Sequence, residues 1–333
     1  MNAQAMPSRR PFLTRLAGAT LLTAGLCLQA PAAVARTPAV AVVTIVEHPS
    51  LDAFRAGVAE ALKEAGYESG KSLRWTYQSA QGNTGTAAQI ARKFVGDEPD
   101  VIVAISTPAA QAVISATKRL PVVYGAVTDP VAAQLVKTMG PSGTNVTGVS
   151  DRLLPDRQVE LIRKLLPNVR RVGMVYSPAE ANSVVAVREM KEALGKQGIE
   201  LMEVAAPRSV DVGQAARRLV GKVDLIYSST DNNVVAAYEA LVKVSNDARL
   251  PLVAADSDSA RRGAVAALSI NYRNLGRQAG GQVIKILKGE KPGNLASETS
   301  DNLELILNTE AARRQGVELS GQLMNEATEI VGR

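Results

Sequence analysis

Short hydrophobic runs recur along most of the chain and are separated by longer stretches of mixed polarity. Within the runs, apolar residues follow one another without alternating with polar ones, which is typical of parallel strands covered by helices on both faces. The pattern predicts strands at residues 40–46, 73–77, 101–105, 121–124, 172–176, 224–227, 251–254, 264–270 and 303–307.

The stretches between these strands carry the apolar spacing of amphipathic helices. One apolar stripe ends at Gly66, a second ends at Pro167, and residues 275–287 form a further helical stretch. Strands that alternate with helices over this length predict an α/β protein with doubly wound parallel sheets.

The alternating elements fall into two sets, so the sequence predicts two lobes joined by a hinge. We assign residues 36–150 and about 271–296 to the first lobe, and residues 151–270 and about 297–333 to the second. Ligands of such sheets bind beyond the carboxyl ends of the strands. The loops that follow the strands are therefore expected to line a cleft between the lobes.

Four of these loops carry polar residues suited to the first turn of a helix. In the simplest interpretation each residue caps a helix, as Ser177 would in a capping box with Glu180. The free N–H groups at such helix starts also suit a carboxylate or phosphate group. The loops are Ser106-Thr107-Pro108, Thr128-Asp129-Pro130, Ser177-Pro178 and Ser228-Ser229-Thr230-Asp231-Asn232.

Acidic residues at the strand ends complement these helix starts. Asp129 and Asp231 serve equally well as helix N-caps, whereas Asp256 follows its strand with a less obvious local role. In a zwitterionic ligand, the carboxylate would bind the N–H groups at the helix starts. Asp256 is the first candidate to bind the ammonium group of the same ligand.

Aromatic residues are rare, and Tyr124, Tyr176 and Tyr227 all end predicted strands. They either stack on a planar ligand or close the core with the hydroxyl in water. His48 is the only histidine and lies in the first strand-helix loop, where it lines the cleft or caps the helix.

Composition excludes several classes of function. Arg9, Arg10 and Arg15 carry three of the formal charges that give +6, so about +3 remains for the rest of the chain. The basic residues there are scattered, which argues against a nucleic-acid partner. One histidine and one cysteine argue against a zinc site, and no glycine-rich fingerprint follows the first strand. We therefore expect no catalytic residues, no metal and no cofactor.

Residues 1–35 have the pattern of a secretory signal peptide, with a basic start, an apolar run and small residues at the end. Arg9 and Arg10 before Phe12 and Leu13 resemble a twin-arginine address, although a basic start also serves the general export route. Cleavage near Arg36 would remove Cys27, and the remaining chain would contain no disulfide.

Several segments resemble one family, the ABC-transporter substrate-binding proteins. The resemblance covers nearly the whole chain after residue 36, in segments 45–52, 105–112, 126–130, 145–151, 177–183 and 230–232. It implies the type I periplasmic-binding-protein fold, with known members that bind tryptophan or tyrosine, and delivery of a small solute to a membrane permease. By position it places around the ligand Ser106, Thr107, Thr128, Asp129, Asn182, Ser183, Thr230, Asp231 and Asp256.

The resemblance favours a periplasmic, monomeric solute-binding component of an ABC importer that binds an amino acid, with His48 and Tyr124 added to the binding residues. Cys27 lacks a convincing lipobox, so we expect a protein without a lipid anchor. A sensory protein that presents its ligand to a receptor is the alternative. An exported enzyme on the same fold is less favoured, because one histidine leaves little material for catalysis.

Overall fold

The computed structural model describes residues 36–300 and 302–332. The predicted signal peptide, with Arg9, Arg10 and Cys27, lies outside the described residues. From Thr37 onward the chain forms one unit by its internal contacts. Within the described ranges, no helix combines the length and the hydropathy needed to cross a membrane.

Five parallel strands form the first sheet, in the order β2-β1-β3-β4-β5. Val103 of the central strand packs toward α1, and the next residue, Ala104, packs toward α2 and α3 on the other face. Both faces are therefore covered, as the continuous hydrophobic run predicted. The elements are β1 (Ala39–Thr44), α1 (Pro49–Glu64), β2 (Arg74–Ser79), α2 (Thr84–Asp97), β3 (Val101–Ile105), α3 (Thr107–Ala116), β4 (Val122–Gly125) and β5 (Val146–Val149).

Seven strands form the second sheet, in the order β12-β11-β10-β9-β8-β6-β7. Neighbouring strands are parallel except β10 and β11, which are antiparallel. The strands are β6 (Arg171–Tyr176), β7 (Glu200–Ala205), β8 (Leu225–Ser228), β9 (Leu252–Ala254), β10 (Ala266–Ile270), β11 (Leu303–Asn308) and β12 (Glu329–Val331). The helices are α4 (Pro155–Leu165), α5 (Ala181–Lys196), α6 (Val212–Arg217), α7 (Asn232–Ala236), α8 (Tyr238–Ala248), α9 (Ser257–Arg262), α11 (Thr309–Gln315) and α12 (Gly321–Glu326).

Helix α10 (Tyr272–Leu287) follows a strand of the second sheet but packs against α1 of the first. Glycines permit this close approach. A Cβ on Gly57 would lie 2.0 Å from the carbonyl oxygen of Arg273, and a Cβ on Gly276 would lie 2.0 Å from that of Phe54. The two backbones can therefore touch only because these positions carry no side chain.

We use first lobe for the five-stranded sheet with α1, α2, α3 and α10, and second lobe for the seven-stranded sheet with the remaining helices. We propose that these two parts are separate lobes joined by a hinge. Segments 150–154, 271 and 288–300 with 302 connect the sheets within the described residues, and we call them the first, second and third crossings. Glu298 of the third crossing accepts from the Ser150 N–H at 2.8 Å and donates to the Gly148 carbonyl at 2.9 Å.

The predicted fold class, with two doubly wound parallel sheets, is confirmed. Every predicted strand is present, with ends that differ by at most two residues. Strands β5, β7 and β12 were not predicted. β7 alternates buried and exposed residues because it lies at the edge of its sheet, and β5 contains threonine and glycine. Neither pattern is a continuous apolar run.

Candidate functional site

The carboxyl ends of strands from both sheets surround a cavity of about 320 Å³, a volume that includes its mouth. The first lobe contributes His48, Ser50, Leu51, Thr107, Ala126 and Thr128, and also Tyr272 at the start of α10. The second lobe contributes Asn182, Thr230, Asn232, Val235 and Asp256, and the first crossing contributes Asp151.

The structure therefore brings together part of the predicted set, namely His48, Thr107, Thr128, Asn182, Thr230 and Asp256. The hydroxyl oxygens of Thr128 and Thr230 lie 3.5 Å apart, one from each lobe. The wall contains hydroxyl, amide, carboxylate and imidazole groups beside a few apolar side chains. Such a mixture can bind a small ligand that carries both hydrogen-bond donors and acceptors.

The start of α3 differs from the predicted cap. Ser106 is the N-cap residue by position, but its φ of 84° is in the region that favours glycine, and its side chain does not cap the helix. The hydroxyl oxygens of Ser106 and Thr107 are buried without a hydrogen-bond partner among the described residues. Strained backbone at a helix start persists where the surroundings impose it, and such positions cluster at binding sites.

The start of α5 also differs from the prediction. The helix begins at Ala181, and the Ser177 hydroxyl accepts from the Asn233 amide at 3.2 Å, so Ser177 and Glu180 do not form a capping box. Instead, Oε2 of Glu180 accepts from the Asn232 side chain at 2.5 Å and from the Asn182 side chain at 3.3 Å. Glu180 thus orients two amides of the cavity wall, and Oδ1 of Asn182 has no partner among the described residues.

Asp231 caps a helix and does not line the cavity. It accepts from the Val234 N–H at 2.9 Å, the Ser177 N–H at 2.6 Å and the Ser183 hydroxyl at 2.6 Å. Burial raises the pKa of Asp231, and burial together with the Asp231 charge raises the pKa of Glu180 to about 7. Ser183 and Asp231, both predicted as binding residues, thus bond to each other and lie outside the cavity wall.

Asp256 accepts more hydrogen bonds from nearby residues than the sequence indicated. Its Oδ1 accepts from the Ser259 N–H at 3.0 Å, which caps α9, and its Oδ2 accepts from the Ser259 hydroxyl at 2.5 Å. Oδ1 also accepts from the Ser50 hydroxyl of the first lobe at 3.0 Å. The carboxylate therefore lines the cavity with both oxygens already bonded to protein donors.

Asp151 and Tyr272 form a second carboxylate site that the sequence analysis missed. The Tyr272 hydroxyl donates to Oδ2 of Asp151 at 2.6 Å, while Oδ1 has no partner among the described residues. Asp151 is only 4% exposed, and this burial raises the pKa of its carboxyl group. Asp151 follows β5, which was not predicted, so no strand end indicated it.

His48 lies in the loop between β1 and α1 and contacts the cavity. Burial, with a smaller effect of the Arg262 charge, lowers the pKa of His48 to about 3. The ring is therefore neutral at physiological pH. Its Nδ1 is buried without a hydrogen-bond partner among the described residues, and the side chain does not cap α1.

Two other predicted binding residues lie away from the cavity. Tyr124 is a core residue whose hydroxyl is 2.5 Å from that of Ser297. Asp129 accepts from the N–H groups of Val131 and Ala132 at 3.0 and 2.9 Å, and from the guanidinium of Arg152 at 2.8 Å. These contacts fix the loop after β4 and leave Asp129 outside the wall.

Of the two alternatives for the tyrosines at the strand ends, the structure shows the place in the core. Tyr227 is buried in the core of the second lobe, and Tyr176 packs against that core. The cavity wall instead contains Tyr272, at the start of α10. Among residues 36–300 and 302–332, no cluster of three histidine, cysteine or acidic side chains is placed to hold a metal ion.

Residues 39–331 match the family model described as ABC transporter substrate binding protein. The chain belongs to this family. A family member from Clostridioides difficile strain R20291, named tyrosine-binding protein, is 39% identical over 269 residues, which are 81% of this chain and 78% of the relative.

Two solved structures are similar over nearly their full length. An ABC domain from Streptococcus pneumoniae in complex with L-Trp is 31% identical, with a TM-score of 0.86 over 89% of this chain and 100% of that one. A ligand-free, open substrate-binding protein from Clostridium difficile is 38% identical, with a TM-score of 0.67 over 88% and 99%. The substrate-binding protein described here superposes better on the ligand-bound structure, although the open one is closer in sequence.

Proposed function

We propose that this chain is the extracytoplasmic solute-binding component of an ABC importer and binds an aromatic amino acid between its lobes. The observation that carries the proposal is a set of buried polar atoms on the cavity wall without partners among the described residues. The set consists of Nδ1 of His48, Oγ1 of Thr107, Oδ1 of Asp151 and Oδ1 of Asn182. Buried polar groups are nearly always hydrogen-bonded in a functional state, so a polar ligand is the natural partner.

The chemistry of the wall suits a zwitterion. The start of α3 offers the Thr107 hydroxyl and first-turn N–H groups, which have no partner within the helix and favour a carboxylate. Asp151 and Asp256 offer negative charge for an ammonium group. Leu51, Ala126 and Val235 give an apolar surface for a side chain.

The proposal of an aromatic side chain is supported by the relatives, one named as tyrosine-binding and one solved with L-Trp. The TM-scores further support a closed arrangement of the lobes, because the ligand-bound relative fits this structure better than the open one. In such a mechanism a hinge at the crossings opens to admit the ligand and closes around it.

Calorimetric titration tests the proposed ligand class. We expect L-tryptophan or L-tyrosine to bind, and L-alanine to bind much more weakly because it leaves the apolar surface uncovered. Thr107→Val should weaken binding, whereas Ser115→Ala, at an exposed position on the same helix, should not. If no amino acid binds to the folded protein, the ligand class is wrong.

The proposed partner is a membrane permease with its ATPase, which receives the ligand from the closed protein. Residues 1–35 would direct export, through the twin-arginine route if Arg9 and Arg10 act as its address. Uptake of labelled amino acid by cells with and without the gene distinguishes transport from ligand sensing. Unchanged uptake would contradict the importer role.

A further inference from the structure

The two carboxylates of the cavity wall differ in how many of their oxygens accept hydrogen bonds from the protein. Asp256 accepts hydrogen bonds on both oxygens, from the N–H and hydroxyl of Ser259 and from the hydroxyl of Ser50. Asp151 accepts one hydrogen bond at 2.6 Å from Tyr272 on Oδ2, and its Oδ1 has no partner among the described residues. Of the two carboxylates, Asp151 is therefore the one with an oxygen left without a hydrogen bond from the described residues.

Asp151 also lacks a cation. No ion pair joins it to any residue in the described ranges, and the neighbouring guanidinium of Arg152 pairs instead with Asp129 at 2.8 Å and Glu189 at 2.6 Å. A carboxylate that is 4% exposed is strongly destabilised as an anion unless a cation or several donors compensate it. Burial accordingly raises the pKa of this group.

We propose that Oδ1 of Asp151 binds the α-ammonium group of the amino-acid ligand, with the Tyr272 hydroxyl fixing the carboxylate through Oδ2. This inference rests on the proposed function and names the residue that recognises the positive charge of the ligand. Asp256, the first candidate from sequence, then acts in closure through its bond to Ser50. A ligand ammonium group supplies both of the things that Asp151 lacks, a positive charge and an N–H donor.

The position of the pair in the fold adds a second role. Asp151 lies in the first crossing, and Tyr272 directly follows the second crossing. Segments that connect the lobes stay close together when the lobes move about them, so the pair remains assembled in an open protein. The ammonium group is then bound before the lobes close, and the cavity walls of both lobes contact the ligand afterwards.

A comparison of ligands with and without the ammonium group tests the assignment. The probes are L-tryptophan with indole-3-propionate, and L-tyrosine with 3-(4-hydroxyphenyl)propionate. They are titrated into the wild type, Asp151→Asn and Asp256→Asn, and asparagine at 256 retains the helix cap. In the wild type we expect the analogue without the ammonium group to bind at least about 100-fold more weakly.

Asp151→Asn should reduce this preference to a few-fold, because the variant no longer distinguishes the two ligands by charge. Asp256→Asn should weaken both ligands by a similar factor and keep the preference. Loss of the preference in Asp256→Asn, with its retention in Asp151→Asn, would overturn the proposal. Thermal unfolding confirms that each variant is folded.

If Asp151→Asn does not fold, the wild type and Asp256→Asn decide the question. If Asp256→Asn keeps the full preference for ligands with the ammonium group, Asp151, the other acid on the described wall, is supported as the ammonium site. If Asp256→Asn loses this preference, Asp151 is rejected as that site. A failure of the proposed function looks different, because the wild type would then bind neither amino acid. A wild type that binds amino acids and their analogues equally well overturns only the assignment of the ammonium site.

Discussion

The hydroxyl of Ser50 donates a 3.0 Å hydrogen bond to Oδ1 of Asp256, so that the first turn of a helix in one lobe is joined to the N-cap of a helix in the other. Asp256 uses the same oxygen to cap α9. One carboxylate therefore caps a helix of its own lobe and also contacts the opposite lobe. This bond is a direct candidate for stabilising the closed protein.

We expect Ser50→Ala to weaken ligand binding by about 10- to 100-fold. The bond to a charged group contributes roughly 1.5–3 kcal/mol, and separation of the lobes would break it. Calorimetric titration measures the affinity, and small-angle scattering with ligand measures closure as a decrease in the radius of gyration.

Ser259→Ala is the control for this prediction, because the Ser259 hydroxyl bonds to Asp256 within the second lobe. It should lower the free energy of unfolding but keep the ligand-dependent decrease in the radius of gyration. Wild-type affinity in Ser50→Ala would show that the bond between the lobes does not stabilise closure.

The contact between α1 and α10 predicts opposite effects at two glycines of one helix. A methyl group at Gly276 would overlap the Phe54 carbonyl, whereas nothing lies within 4 Å of the Cβ position at Gly281. Gly276→Ala should lower the free energy of unfolding by roughly 1–3 kcal/mol or more. Gly281→Ala should raise it by about 0.5–1 kcal/mol, because alanine favours the helix. Urea denaturation of both variants checks this, and equal effects would contradict the close packing.

The raised pKa of Glu180 predicts that the free energy of unfolding decreases as pH rises toward neutrality. Its pKa is raised from 4.5 to about 7 by burial and the Asp231 charge. The folded protein thus holds a proton that the unfolded chain has released, and this stabilisation is complete below pH 4.5 and lost as pH rises through 7. At about 1.4 kcal/mol per pH unit, the loss is on the order of 3 kcal/mol.

Glu180→Gln should flatten this decrease and raise the free energy of unfolding at pH 8 above that of the wild type. Urea denaturation between pH 5 and pH 8 measures the effect. Glu192→Gln, at an exposed position on the same helix α5, should keep the wild-type profile. A Glu180→Gln profile that still falls over this range would assign the dependence to other groups.

The sequence predicted the sheets well and the site only in part, for a physical reason. The run at 101–105 is fully buried, and its hydrophobicity alone matches β3 to the residue. The role of Ser106 depends instead on a φ of 84° that the fold imposes, so a capping rule based on residue type was wrong. Asp151 and Tyr272 are 121 positions apart and become partners only through the crossings. Pairing at that distance leaves no local pattern in one sequence.

Arg9 and Arg10 distinguish two possible routes of export. Twin-arginine recognition reads the arginine pair itself, whereas the general route requires only a basic start before the apolar run. Changing both Arg9 and Arg10 to lysine keeps the charge and removes the pair. We expect this variant to remain in the cytoplasm as a folded, uncleaved precursor, because substrates of this route fold before export. Cell fractionation with immunoblotting measures its location, and protease resistance measures its folding. Arg15→Lys lies outside the pair and should be exported normally. If the double variant reaches the periplasm as the wild type does, the chain uses the general secretory route.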